Sequence, residues 1–342
     1  MKRTMIACLT FAFGAMASLA LMESARAQNV ADFYRGRNVT LVIGFSVGGG
    51  YDLYGRLLAR HLGKHIPGQP SIVPQNREGA GSERAVLYLY NAAPKDGTVI
   101  GTFSRSMAVA PLLADAPFDA TKLSWLGSIS SDVSVCMTWY TSPIKTFDDM
   151  LATPFTMGGL GKDADPDIFA MVLRNVFGAK LKLVSGYPGT NDGTLAMERG
   201  EVNGMCGISW STAKARHADW LKAKKVNMPV QFGLRKEAAI ADVPAVMDLV
   251  KGEEQTRMVR LILAGQAMAR PYAAPPGIPD DRRRGLIAAF DATMKDPEFL
   301  ADAEKLQADV SPVSAGEIDK LLADVYATPK DIIAKAAKAI AN

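Results

Sequence analysis

Val39-Thr40-Leu41-Val42-Ile43-Gly44-Phe45-Ser46-Val47-Gly48-Gly49-Gly50-Tyr51-Asp52 joins an apolar, β-branched run to a glycine cluster, and Leu53, Leu57, Leu58 and Leu62 follow at helical spacing. A continuous apolar run without alternation reads as a strand buried on both faces. Strand, glycine turn and helix together open an α/β unit. The next segments repeat the alternation. Ser71–Val73 reads as strand, Ser82–Asn91 as helix stopped before Pro94, and Asp96-Gly97 as a turn into the strand Thr98–Phe103. Alternation of this kind predicts a parallel α/β architecture.

Further along, Ser124–Ile129 and Val133–Trp139 read as strands, and Thr146–Asp149 opens a helix with a Thr-x-x-Asp cap. Phe155–Met157 leads into Gly158-Gly159-Leu160-Gly161, with Pro166 placed to start a helix through Phe177. Leu181–Ser185 is a strand, Thr190–Arg199 a helix, Gly204–Ile208 and Pro229–Gly233 strands, Val243–Lys251 a helix and Leu261–Met268 a strand. Helices from Arg282, Pro297 and Ala315 close the chain, the last behind a Ser314-x-x-Glu317 capping box.

Upstream, Lys2 and Arg3 precede an uncharged apolar run from Met5 to Met22, followed by Ala25-Arg26-Ala27. Basic start, apolar run and small-x-small site predict an export signal, cleaved after Ala27. The mature chain is then exported to the periplasm. The leader's Lys2, Arg3 and Arg26 against Glu23 carry two of the net +4, leaving +2 on the mature chain. A balance so near zero gives no electrostatic case for nucleic acid. The runs Lys222–Lys225 and Arg282–Arg284 read as solvated faces. At 342 residues, 48% hydrophobic and 22% charged, the chain has material for two lobes and is neither disordered nor a multi-span membrane protein.

With Cys8 in the leader, Cys136 and Cys206 remain, an even pair in an oxidising compartment. A disulfide between them is expected; two separate buried thiols are the alternative. His61 and His65 have the i, i+4 spacing of metal ligands, but no glutamate lies between them and the helix ends nearby, so no metal site is expected. No cofactor motif stands out.

The glycine cluster admits three chemistries. Gly44-Phe45-Ser46-Val47-Gly48 satisfies the Gly-x-Ser-x-Gly elbow of a serine hydrolase with Ser46 as nucleophile. Only residues 28–43 would precede it, too few for the strands and oxyanion donor of such a sheet, and the base would have to be His61, His65 or His217. A dinucleotide loop fails on spacing, and the Walker lysine is missing. The third chemistry needs only backbone: a glycine turn at a helix N-terminus offers N–H groups to an anion. A plain tight turn capped by Asp52 is the reading without function. A second strand–loop–helix unit, Tyr187-Pro188-Gly189-Thr190-Asn191-Asp192-Gly193, favours the anion reading, because two such loops can hold one small acid between two lobes. Gly158–Lys162, with Gly159 at its turn, is a candidate third wall in which Lys162 supplies a counter-charge, and Ser104-Arg105 just past a strand end is another.

The motifs quoted, with Arg56-Leu57-Leu58-Ala59, Asn76-Arg77-x-Gly79-Ala80-Gly81, Ala93-Pro94-Lys95-Asp96-Gly97-Thr98, Gly186-Tyr187-Pro188-Gly189-Thr190 and Gly200-Glu201-Val202-Asn203-Gly204, resemble the periplasmic receptors of tripartite tricarboxylate transporters, also called Bug receptors. The resemblance implies a type II periplasmic-binding-protein fold, two lobes joined by crossover hinge strands around a ligand cleft. It places lobe 1 at 28–128 plus 262–342 and lobe 2 at 129–261. It also implies a small carboxylic acid ligand, delivered by a monomeric receptor to membrane permease subunits, with no catalysis; a receptor serving a sensor kinase is the variant reading. Carried onto this chain, the first loop supplies Phe45, Ser46, Val47, Gly48, Gly49, Tyr51 and Asp52, and the second Tyr187, Gly189, Thr190 and Asn191. Two positions depart from the pattern: Gly44 stands where a proline is usual, and Pro188 where a lysine is common.

Overall fold

In the computed structural model, which describes residues 29–342, Val39, Leu41, Val42 and Ile43 are all buried, in a strand covered on both faces. The predicted leader lies outside the described residues. That strand, β1 (Asn38–Ile43), pairs in parallel with β2 (Ser71–Asn76) and β3 (Val99–Thr102). The first sheet also contains β4 (Ser124–Ser128), then β10 (Pro271–Ala274) and β11 (Val313–Ser314), which return from the far end of the chain, in the order β11-β4-β10-β3-β1-β2. The second sheet takes only the middle of the chain. It contains β5 (Ser134–Trp139), β6 (Phe155–Gly158), β7 (Leu181–Val184), β8 (Gly204–Ser209) and β9 (Val226–Phe232), in the order β7-β6-β8-β5-β9. Apolar clusters lie on both faces of each sheet, as expected where helices cover parallel strands.

Two of the chain's passages between the sheets are bonded to each other. Ile129 N–H donates to Arg270 O at 3.1 Å, Ala269 N–H to Ser130 O at 2.7 Å, and Asp132 N–H to Gln266 O at 3.2 Å. This paired crossover joins two α/β lobes.

Four helices matter for the site: α1 (Gly50–His61), α2 (Asp165–Phe177), α3 (Thr190–Glu198) and α4 (Trp210–Lys222). The strand expected at Leu261–Met268 is absent. Leu261 and Ile262 end α5 (Gly252–Ile262), and Ala264–Met268 is a tight 3-10 turn. Buried Val259 and Ile262 sit at helical spacing behind a Glu253-Glu254 first turn, a period hidden by the short apolar run after them. The last helix, α6 (Lys330–Ile340), follows the first sheet's β11 in the chain yet buries Ile332, Ala336 and Ala339 in the same core as α2 and α5. No helix among the described residues is long and apolar enough to cross a membrane.

Cys136 on β5 and Cys206 on β8 are fully buried and joined as a disulfide between adjacent antiparallel strands. Beside it β8 carries an extra residue, with Val135 facing Ile208 and Met137 facing Met205. Gly207 takes up this bulge at φ +73°, a conformation that disfavours side chains, and a Cβ there would lie 2.6 Å from Pro166 N.

Candidate functional site

Helices α1, α2, α3 and α4 all start at one small cavity between the two sheets. Gly49 and Gly50 reach it from α1, Ala164, Asp165 and Pro166 from α2, Thr190 from α3, and Ser209 and Thr212 from α4. None of the four has a side-chain N-cap hydrogen bond. The sequence explains three of them, since Gly49, Ala164 and Gly189 at the cap positions carry no acceptor. Ser209 does, but its Oγ accepts from Arg270 Nη1 at 3.0 Å. Each helix end brings roughly half a positive charge and unpaired N–H groups, so four together favour an anion.

Two buried guanidiniums line the same cavity. Arg105 Nε donates to Asp165 Oδ2 at 2.5 Å and Nη2 to Ser134 Oγ at 2.6 Å, while Gln266 Nε2 donates to the same Asp165 oxygen at 3.1 Å. Burial works against the charge on Arg105, but Asp165 beside it, with Tyr51 and Asp132, outweighs that, and its pKa stands above the ordinary value. Arg270 differs. It is 1% exposed, and no carboxylate among the described residues pairs with it. Its Nη atoms donate to Ser209, Thr212 and Ala269 O, with Ser211 Oγ at 3.4 Å, and Nε has no partner. The rings of Tyr51 and Tyr54 flank it at 5.0 and 4.8 Å. Aromatic faces and hydroxyls offset only part of the several kcal/mol that a buried ion costs.

Of the residues expected at the site, Phe45, Gly49, Tyr51, Ser104, Arg105 and Thr190 line the cavity. The others hold the loops. Asp52, at the third position of α1, accepts from Gly48 N–H at 3.0 Å, Arg56 Nε at 2.9 Å and Asn76 Nδ2 at 2.9 Å. Burial pushes the Asp52 pKa up, but these bonds outweigh it and hold the carboxyl below its usual range. The Gly48 N–H is thus spent inside the loop. Ser46 Oγ donates to Asp192 Oδ2 at 2.6 Å, and Ser46 N–H meets Pro188 O at 3.3 Å, so the two glycine loops touch each other. Asn191 lies against Gly48, Tyr187 lies over Gly158, and Val47 is 62% exposed.

The third wall forms differently from expectation. Asp167, at the third position of α2, accepts from Leu160 and Gly161 N–H at 2.6 and 2.9 Å, which fills the space beside Gly159. Lys162 is exposed, 3.8 Å from Asp163, beside a different cavity. Leu160 alone of that loop reaches the site.

No imidazole is bonded to Ser46. His61 and His65 engage Asp302 and Asp296, and His217 stacks on Trp220 with its pKa pushed down to about 4 by burial and by Arg216. A hydrolase built on Ser46 therefore lacks its base. His61, Asp296 and Glu298 lie close together, but the Lys64 ammonium sits 2.6 and 2.5 Å from the two carboxylates and already pairs with both.

Sequence reasoning missed Arg270, Asp165, Ser209 and Thr212. A signal for Arg270 existed, since it is the only charged residue between Leu261 and Pro279.

The family model for the tripartite tricarboxylate transporter family receptor matches residues 55–337. A Cupriavidus necator protein described as "UPF0065 protein in gbd 5'region" is 25% identical, over 97% of this chain and 95% of its own length. Among solved structures, MatC of Rhodopseudomonas palustris with bound malate has a TM-score of 0.68 at 18% identity, covering 90% of this chain and 99% of its own. An R. palustris protein with adipate has a TM-score of 0.69 at 18% identity, covering 89% and 98%. Those likenesses bear on the fold. With the family match over most of its length, the chain belongs to the tripartite tricarboxylate transporter receptor family, whose members are solute-binding receptors and not enzymes.

Proposed function

We propose that this chain is a periplasmic receptor that captures a small organic acid between its lobes and delivers it to the permease subunits of a tripartite tricarboxylate-type transporter. The observation that carries the reading is the convergence of four uncapped helix N-termini and an unpaired guanidinium on one cavity. An acid's carboxylate complements that field, whereas a neutral solute leaves it unsatisfied. The malate and adipate held by the structural relatives are in keeping with this class. Export with cleavage after Ala27, a monomeric state, and lobes at 28–128 with 262–342 and at 129–261 belong to the same reading. The membership of the two sheets supports that division, with α6 leaning back on the second lobe.

The test is a melting-temperature screen of the purified mature chain against aliphatic and aromatic carboxylic acids and their methyl esters. An acid present at 100 times its dissociation constant adds about 2.7 kcal/mol of stability. Acids should raise the melting temperature and their esters should not. Hydrolysis of the esters, or no response to any acid, would refute the proposal.

A further inference from the structure

The geometry points to Arg270 as the residue that sets ligand class: it receives the carboxylate of a short mono-anion of roughly two to four carbons bearing a hydroxyl or keto oxygen. The inference rests on the reading of this cavity as a carboxylate site and goes beyond it. Three observations carry it.

The first is charge. Arg105, Asp165 and Arg270 are the charged residues lining the cavity. Arg105 and Asp165 neutralise each other at 2.5 Å; Arg105 Nη1 and Arg270 Nε both lack a partner, but only Arg270 also lacks a carboxylate. One carboxylate satisfies that group; a second would find no free cation, because Lys162 faces elsewhere.

Size is the second. With the glycine loops in contact the cavity measures about 30 Å³. At about 10–15 Å³ per water in this measure, that is room for two or three waters, so a short acid must part the loops a little and a six-carbon chain far more.

The third is the lining. Ser104, Thr190, Ser209 and Thr212 offer hydroxyls opposite Phe45 and Leu160, a wall suited to one further oxygen on a short carbon skeleton.

A buried cation without a counter-ion is costly to the free protein and is relieved by an anionic ligand. This yields a signature that a structural arginine would not give. Titration calorimetry and melting curves of the full mature chain should be run with lactate, pyruvate, malate and adipate, on wild type, Arg270→Met and Arg270→Lys. Lactate or pyruvate should bind more tightly than either dicarboxylate. Arg270→Met should bind them about 100-fold more weakly, the range of a lost charged hydrogen bond, while the unliganded variant melts at or above wild type. Arg270→Lys keeps the charge without the fork and should fall between. A folded Arg270→Met, or an Arg270→Lys, that binds the short acids as wild type does would overturn the role of Arg270 and leave the receptor reading intact. Tighter binding of malate or adipate than of every short acid would overturn the ligand class alone. Silence toward all four acids would remove both.

Discussion

Asp163 is buried with no hydrogen-bond partner at either carboxylate oxygen, and its nearest cation, Lys162, is largely exposed at 3.8 Å. Burial raises its pKa from 3.8 to about 6, with Lys162 offsetting part of the rise. The folded state therefore holds this proton more tightly than the unfolded chain. Below the unfolded pKa of 3.8 both states are mostly protonated and the penalty is small; as pH rises toward 6 the unfolded chain ionises first and native stability falls. Asp163→Asn, which never ionises, should match wild type at pH 3.5 and melt higher at pH 8. Calorimetry at the two pH values checks this, and an equal gap at both would show that titration plays no part. Residue scale is also where the sequence was least legible. Arg105 could be placed because it follows a strand end, the position from which an α/β sheet presents its ligands, and Phe45 and Tyr51 because the family resemblance carries its first loop onto them. Arg270 and Asp165 could not, because their places depend on which distant segments pair across the hinge.

Three of the helices at the site use one device: an aspartate at the third helical position. Asp52 and Asp167 turn back to bond the N–H groups of their own preceding loops, and Asp192 reaches across to Ser46. The glycine loops were legible as strand–turn–helix units, but not which backbone groups they leave free, since Asp52 and Asp167 claim some of them first. The role expected of Gly189 shifts accordingly. Its backbone is extended and open to any residue, but a Cβ would overlap Ser46 Oγ in the opposite loop. At Gly49 a Cβ would lie 2.9 Å from Thr190 Oγ1. Gly189→Val should therefore hold the loops apart. It should weaken acid binding at least tenfold and change stability by less than about 1 kcal/mol, since a loop substitution away from the cores disturbs little packing. Small-angle scattering in saturating ligand should show a more open particle than wild type; a variant as compact as wild type would count against the steric account.

Across the whole molecule, contacts between the two sheets concentrate at the cavity: Ser46 with Asp192, Arg105 with Asp165, Ser106 with the Asp163 carbonyl, and Arg270 with Ser209 and Thr212. These contacts are polar, while Phe45 adds an apolar one by packing among Val135, Met137 and Leu160 of the second sheet's lobe. The disulfide lies away from this boundary, within one sheet, and spans 70 residues of chain. Reducing it should destabilise the second sheet's lobe by about 2–4 kcal/mol. Melting with and without dithiothreitol, with alkylation to count thiols, would show the shift; two thiols already reactive in the unreduced denatured protein would contradict the bond. The broad division of the chain was legible from alternating strands and helices together with the family resemblance. The return of α6 was not, because amphipathic spacing says which face is buried and not against which partner.

That return has a consequence for anyone who would cut the molecule apart. Ile332, Ala336 and Ala339 fill a trough formed by residues from α2 and α5. A genetic excision of 129–261 would carry the disulfide and a complete sheet, but leave this trough bare and prone to self-association. Supplied separately as a peptide, the C-terminal helix should rescue such a fragment, so the two pieces would behave as a split protein whose reassembly can be switched by withholding α6.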